Sequence, residues 1–259
     1  MAGKQSNYIA KKADDDGIIH YSEEEHDRWR RLMSRQKKLF SSYAASAYLD
    51  AFDKIAMSED HIPQCHEISK VLLESTGWCM VPVPALIDFS TFFTMLSNKQ
   101  FPAASFIRSE EELDYLKEPD IFHEILGHAP LLIDPRYAAF VQAYGKAGCR
   151  ANKKEQVWLA RLFWFTVEFG LLRENDEVKA FGAGIVSSHK ELPYSVTADD
   201  VDRRTFDEID ILRTPYRIDI LQPVYFILDD LDQMTLLSKK NLLQLVNTAS
   251  NMGLKPKPF

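Results

Sequence analysis

The sequence predicts a mainly α protein built as a single domain, with a few short strands. Three observations carry that prediction. Apolar residues recur at helical spacing over most of the chain, strand-like runs are few and short, and neither an internal repeat nor a Pro/Gly/Ser-rich linker divides the sequence. Residues 1–20 read as a flexible polar segment and 21–259 as one domain. The chain has 259 residues, 46% of them hydrophobic, with only 10 Gly and 12 Pro. That composition supports a large core and excludes disordered and collagen-like classes.

The elements follow in order. Ser22 and Glu25 have capping-box spacing. From there to about Ala56, Trp29, Leu32, Met33, Leu39, Phe40, Tyr43, Ala47 and Phe52 mark one or two amphipathic helices. A helix over Gln64–Ser75 is stopped by Gly77. Pro82 and Pro84 make VPVPALID an irregular extended stretch. Asp88 caps a helix from Phe89 to about Asn98, and Phe101–Arg108 has strand composition. Pro119 opens a helix as its first residue and Pro130 closes it. A helix then runs from Pro135 to about Ala147. Glu155–Arg173 is apolar on nearly every side and reads as one buried helix. Val178–Phe181 and Val224–Leu228 are strand candidates, residues 190–220 are loop-rich, and Leu231–Met252 is a last helix.

Charge narrows the function classes. The net charge is −7 and no basic block stands out, so nucleic acid is an unsuited partner. The start of the chain has no apolar signal stretch. The most apolar run, Val157–Leu172, carries Arg161 and Glu168 and is too short to span a bilayer. Three cysteines, Cys65, Cys79 and Cys149, have no CxxC spacing. They read as reduced thiols of a cytoplasmic protein, a monomer or small homo-oligomer acting on small molecules.

The chemistry concentrates in Pro119-Asp-Ile-Phe-His-Glu-Ile-Leu-Gly-His-Ala-Pro130. On an ideal α-helix, residues five apart diverge by roughly 140°, so His123 and His128 do not share a face. Gly127 and Pro130 let the chain unwind so that the His128 ring turns back. This is not the HExxH spacing of zinc proteases. Two unrelated histidines among seven is the competing reading. Glu168, inside LARLFWFTVEFGLL, shifts the weight. A carboxylate in so apolar a helix costs several kcal/mol unless paired or bound to a cation. Arg161, two turns back, is its one local partner. Two imidazoles and a carboxylate form the facial set that suits Fe(II) with open positions. Zinc fits the same donors, so a zinc hydrolase stays open on ligand types alone.

The segments PDIFHEILGHAPLLIDPRYAAF, LFWFTVEFGL and VKAFGAGIVSSHKEL, in that order, resemble the aromatic amino acid hydroxylases. The similarity extends back through TGWCMVPVPALIDFSTFFTML and FPAASFIR and covers about 76–192, most nearly in the manner of the compact bacterial phenylalanine 4-hydroxylases. The resemblance implies a helical catalytic domain with a non-haem iron basket, using Fe(II), tetrahydropterin and O₂ to hydroxylate L-phenylalanine to L-tyrosine. Tryptophan or tyrosine hydroxylation is the neighbouring alternative. By motif match, His123, His128 and Glu168 are the iron ligands. Arg108 holds the substrate carboxylate with Asp120 supporting it, Trp164 walls the ring pocket, and Gly184 and Ser187 stand beside substrate and iron. Ile87, Phe92, Glu124 and Ala160 match pterin-side positions. Leu116 and Lys117 stand where animal members carry Thr-Pro, and Phe163 replaces a tyrosine. The segment LFWFTVEF offers no obvious polar group to pair with a tyrosine hydroxyl, and Trp164 leaves less room for an indole, which favours phenylalanine.

Overall fold

A computed structural model describes residues 8, 10–84, 87–114 and 118–259. Leu116 and Lys117, and part of the 1–20 segment and of VPVPALID, lie outside the described residues. Within the first segment, Ile19 is buried and its backbone N–H donates to the Gln64 side chain at 3.0 Å.

Two helices open the domain, α1 (Glu23–Tyr43) and α2 (Ser46–Ile55). The expected capping box is present: Glu25 N–H donates to the Ser22 hydroxyl, and the Glu25 carboxylate accepts from Ser22 N–H. The break falls at Ala44 and Ala45, which are extended, and Ala45 N–H donates to Ala180 O at 2.8 Å. A tertiary bond thus ends what periodicity alone would continue. Next come α3 (Cys65–Ser75), β1 (Cys79–Val83), α4 (Phe89–Ser97) and β2 (Gln100–Ala104). Gly77 ends α3 with φ +77°, and Asp88 caps α4 by accepting from Thr91 N–H. The stretch expected to be irregular begins with the last three residues of β1, which pairs in parallel with β2, Val81 facing Pro102 and Pro82 facing Ala103. A two-stranded sheet consists of edges only, so a proline there forfeits no bond to a second neighbour. The strand expected to reach Arg108 stops at Ala104.

The centre of the chain departs furthest from regular helix. Asp120, not Pro119, begins the turn: its side chain accepts from His123 N–H at 3.0 Å and its carbonyl from Glu124 N–H. His123–His128 is then π-helical and Pro130–Ile133 is a 3₁₀ turn. Two helices follow, α5 (Pro135–Arg150) and α6 (Lys153–Phe163). The single helix expected over Glu155–Arg173 is overturned. It ends in a second π turn, Trp164–Glu168, and the chain continues as β3 (Gly170–Glu174). β3 turns through Asn175 and Asp176, both at positive φ, into β4 (Glu177–Ala180). Apolar residues of a buried strand and a buried helix look alike along the sequence, and sheet pairing decides between them.

Beyond it comes α7 (Ala183–Val186), and α8 (Glu191–Thr197), β5 (Asp202–Thr205) and α9 (Glu208–Arg213) occupy the 190–220 region expected to be loop-rich. They are too short for periodicity to register. β6 (Val224–Leu228) is fully buried and completes a sheet of order β4-β3-β6-β5, with β3 and β5 both parallel to β6. The last expected helix is two, α10 (Asp232–Lys239) and α11 (Leu242–Met252), because the Asn241 side chain caps a new start by accepting from Gln244 N–H. One continuous apolar core runs from Trp29 to Ala249, and no helix among the described residues is long and apolar enough to cross a membrane. Cys65, Cys79 and Cys149 are free thiols.

Candidate metal centre and its cavity

His123 and His128 open and close one π turn, and Glu168 ends the other. An i→i+5 turn is wider than an α turn, so a residue five positions on comes back over the first. This is how the two imidazoles meet, by a widened turn rather than an unwound one. Gly127 matters for a different reason than expected. A Cβ there would lie 2.9 Å from Ala183 O, so glycine lets α7 press onto the histidine turn. Gly182 does the same opposite Glu168, where a Cβ would fall 2.4 Å from Glu168 O and 2.5 Å from Gly170 N.

The result is a convergence of three donors. His123 Nε2 and His128 Nε2 are 3.1 Å apart, and Glu168 Oε1 and Oε2 lie 3.2 Å from His128 Nε2 and 3.6 Å from His123 Nε2. Ligand atoms of all three fall within 4.8 Å of one another. Ser187 Oγ donates to Ala183 O at 2.7 Å and so accepts from His123 Nδ1–H at 2.9 Å. This fixes the tautomer, leaving the Nε2 lone pair aimed at Glu168 and His128. Burial pushes the His123 pKa down to about 4 against the pull of Glu168, so the ring is neutral at pH 7. Burial would raise the Glu168 carboxyl, but the two imidazoles and Gly184 N–H hold it below its ordinary value. His128 is held by packing, its ring 4.4 Å from that of Phe101 and 6.2 Å from that of Phe163. Two imidazole nitrogens and a carboxylate converging on one buried point, with the His123 tautomer set by Ser187, are a donor set that fits a divalent metal. Arg161, the alternative partner for Glu168, instead donates to Val157 O and stacks over Trp158.

The centre opens into a cavity of about 500 Å³, lined among others by Arg108, His123, Trp164, Glu168, Gly184 and Ser187. Arg108 and Asp120 form a buried fork-to-fork pair, with Nε to Oδ2 at 2.8 Å and Nη2 to Oδ1 at 2.9 Å. Burial alone would raise the Asp120 carboxyl, yet Arg108 and two backbone N–H groups hold it down. The guanidinium also lies 5.4 Å over the Phe122 ring. Its Nη1 hydrogens are left for a ligand in the cavity it lines. Trp164 packs against Tyr216 and Phe169, both at 4.4 Å between ring centres, and its indole N–H donates to Gln222 Oε1 at 3.0 Å.

The residues expected on the pterin side line a different region. Phe92 is edge-on to Phe163 at 5.5 Å, and Ala160 lies one turn before Phe163 on α6. Glu124 is buried with Oε2 3.9 Å from His128 Nε2, and burial, with Glu168 and Asp120 nearby, pushes its pKa up. Ile87 is half-buried just before the Asp88 cap. None of the four lines the cavity described above. Sequence reasoning missed Gln222, Glu191 and Tyr216. Gln222 and Tyr216 reach Trp164 from more than fifty residues away and leave no spacing signal. Glu191 sat inside the VKAFGAGIVSSHKEL motif, where an acid before Leu192 was a signal to read. The wall also proves less apolar than LFWFTVEF suggests, because α1 contributes Gln36 and the later loops Ser188, His189 and Gln222.

Known proteins share this fold and much of this sequence. Residues 4–249 match the family described as biopterin-dependent aromatic amino acid hydroxylase. A phenylalanine-4-hydroxylase of Pseudomonas aeruginosa is 48% identical over 97% of this chain and 95% of its own length. Among solved structures, the cold-active phenylalanine hydroxylase of Colwellia psychrerythraea superposes with a TM-score of 0.94 at 47% identity, covering 96% of this chain and 97% of that one. The Chromobacterium violaceum phenylalanine hydroxylase, solved with iron(III) and 7,8-dihydrobiopterin, gives 0.86 at 37% identity over 91% of this chain and 85% of its own.

Proposed function

We propose how this site works from one premise: the chain belongs to the biopterin-dependent aromatic amino acid hydroxylases and is a phenylalanine 4-monooxygenase. That membership sets the zinc hydrolase alternative aside. The observation that carries the site assignment is the convergence of His123, His128 and Glu168 at the floor of a cavity whose wall holds a buried arginine. The three side chains would hold Fe(II) beside the cavity. Bound iron and a reduced pterin together supply the activation of O₂.

The protein's own part is placement. Arg108 receives the substrate carboxylate on the hydrogens that Asp120 does not use, and the Asp120 pair keeps the fork from turning. With the carboxylate anchored, the ring extends toward the metal along Trp164, which limits its width. Ser187 keeps the His123 lone pair on the metal. Phe92, Ile87, Ala160 and Glu124 form the pterin side, with Phe92 offering a ring face and Glu124 a carboxyl group. We place the reaction in the cytoplasm, where three free thiols stay reduced.

The test is side-by-side kcat/KM for phenylalanine, tyrosine and tryptophan with iron and saturating reduced pterin, with products identified. Tyrosine formation from phenylalanine should dominate, and chelation should abolish it until iron is restored. A higher kcat/KM for tryptophan or tyrosine would overturn the substrate assignment. Full activity in iron-free protein would overturn the metal centre.

A further inference from the structure

Trp164 is not a free wall. Its indole N–H donates to Gln222 Oε1 at 3.0 Å. The amide nitrogen of the same side chain donates twice, to Arg217 O at 2.8 Å and Ile220 O at 2.9 Å. Those two bonds use both Nε2 hydrogens, so the amide cannot flip and its oxygen must face the indole. The Gln222 backbone is pinned as well: its N–H donates to Glu191 Oε1 at 3.0 Å, and the Tyr225 hydroxyl donates to that same oxygen. Gln222, Glu191 and Tyr225 are all buried. Three elements, α8, β6 and the 217–222 loop, therefore converge on one hydrogen bond to one ring in the cavity wall.

We propose that Gln222 is a positioning residue that fixes the orientation of the Trp164 indole, and through it the width of the aromatic slot and the preference for phenylalanine over tryptophan. Packing against Tyr216 and Phe169 restrains the indole from sliding away, but stacked rings tolerate rotation in their own plane. The Gln222 bond removes that freedom because it fixes the position of Nε1. Without it the indole N–H, Arg217 O and Ile220 O all lose a partner, the 217–222 loop loosens, and the slot admits wider rings. This inference rests on the reading of Trp164 as the wall of the substrate pocket.

The experiment is a double-mutant cycle on the iron-loaded enzyme with Gln222→Leu and Trp164→Phe, read as the ratio of kcat/KM for phenylalanine to that for tryptophan. Gln222→Leu should lower the ratio about fivefold alone, and by less than about twofold in the Trp164→Phe background, where no indole N–H exists to be held. An equal shift in both backgrounds, or none in either, would overturn the proposal, since a loop that is merely destabilised acts whether or not the indole is present. Should Gln222→Leu not fold, Gln222→Met has a similar length and lacks the same three hydrogen bonds. A second readout does not depend on turnover. The Trp164 share of the emission, taken as the difference from Trp164→Phe, should become more readily quenched by acrylamide in Gln222→Leu, and unchanged quenching counts against the clamp. Wild-type preference for tryptophan would sink the substrate reading while leaving the coupling between Gln222 and Trp164 measurable.

Discussion

At the scale of single residues, the site depends on side chains whose hydrogen-bonding capacity is divided between partners. Arg108 gives Nε and one Nη2 hydrogen to Asp120 and keeps the rest of its fork. Lysine has one nitrogen and no fork, so it can serve Asp120 or a ligand but not both in this geometry. Arg108→Lys should therefore cut kcat/KM for the amino acid more than tenfold, in line with the roughly 2–5 kcal/mol lost when a desolvated charge pair is broken. Iron content should be unchanged, because no bond from Arg108 reaches the three metal donors. Unaltered kinetics would remove Arg108 from the site. The convergence of His123, His128 and Glu168 was partly legible in the sequence, because Glu168 is chemically out of place among LFWFTV and FGLL unless it is paired or bound to a cation. Gln222 was not legible. Its role exists only in a contact between residues 164 and 222, and nothing in its own neighbourhood, Leu221 and Pro223, distinguishes it.

At the scale of elements, the two π turns are the structural device that the centre requires, and they also mark the limit of sequence reasoning. An α-period template places His123 and His128 on different faces and runs a single helix through Glu168. The observed chain widens at both places and then becomes β3. Capping signals at Ser22 and Asp88 were readable because they are local bonds between neighbours. The π turns and the β3 pairing depend on what presses against them. Gly182 shows the dependence most directly. Its φ of −62° suits any residue, so the constraint is steric, with backbone atoms of Glu168 and Gly170 within 2.5 Å of a Cβ. Gly182→Ala must push the Glu168 turn aside. It should lower stability by ~1–3 kcal/mol, the usual cost of overpacking, and weaken iron binding, because the displaced residue carries a metal donor. Thermal unfolding and iron titration check this together. A variant that melts like the wild type and binds iron as tightly would show that the turn has slack.

At the scale of the whole molecule, the buried charges leave a signature in how stability varies with pH. Glu191 is the clearest case. It is buried, no cation among the described residues pairs with it, and its two hydrogen bonds come from neutral donors, Gln222 N–H and Tyr225 O–H. Burial raises its pKa, and those two bonds only partly pull it back. A carboxyl whose pKa is higher in the folded state than in the unfolded chain holds a proton on folding. Its contribution to stability is full below the unfolded value, about 4.3, and is lost as pH rises through the folded value. Glutamine is nearly isosteric, keeps the accepting oxygen and never ionises. Glu191→Gln should therefore gain on the wild type progressively between pH 4 and pH 8, with the gain in melting temperature smallest at the acid end, where both side chains are neutral. Taking the difference between the two proteins cancels every other titrating group, including the metal donors, so each protein is measured with iron removed and again with iron bound. A difference that grows with pH in both series places the ionisation at Glu191. Parallel curves from pH 4 to 8 would mean that Glu191 titrates as an ordinary glutamate, and that the two hydrogen bonds fully offset its burial.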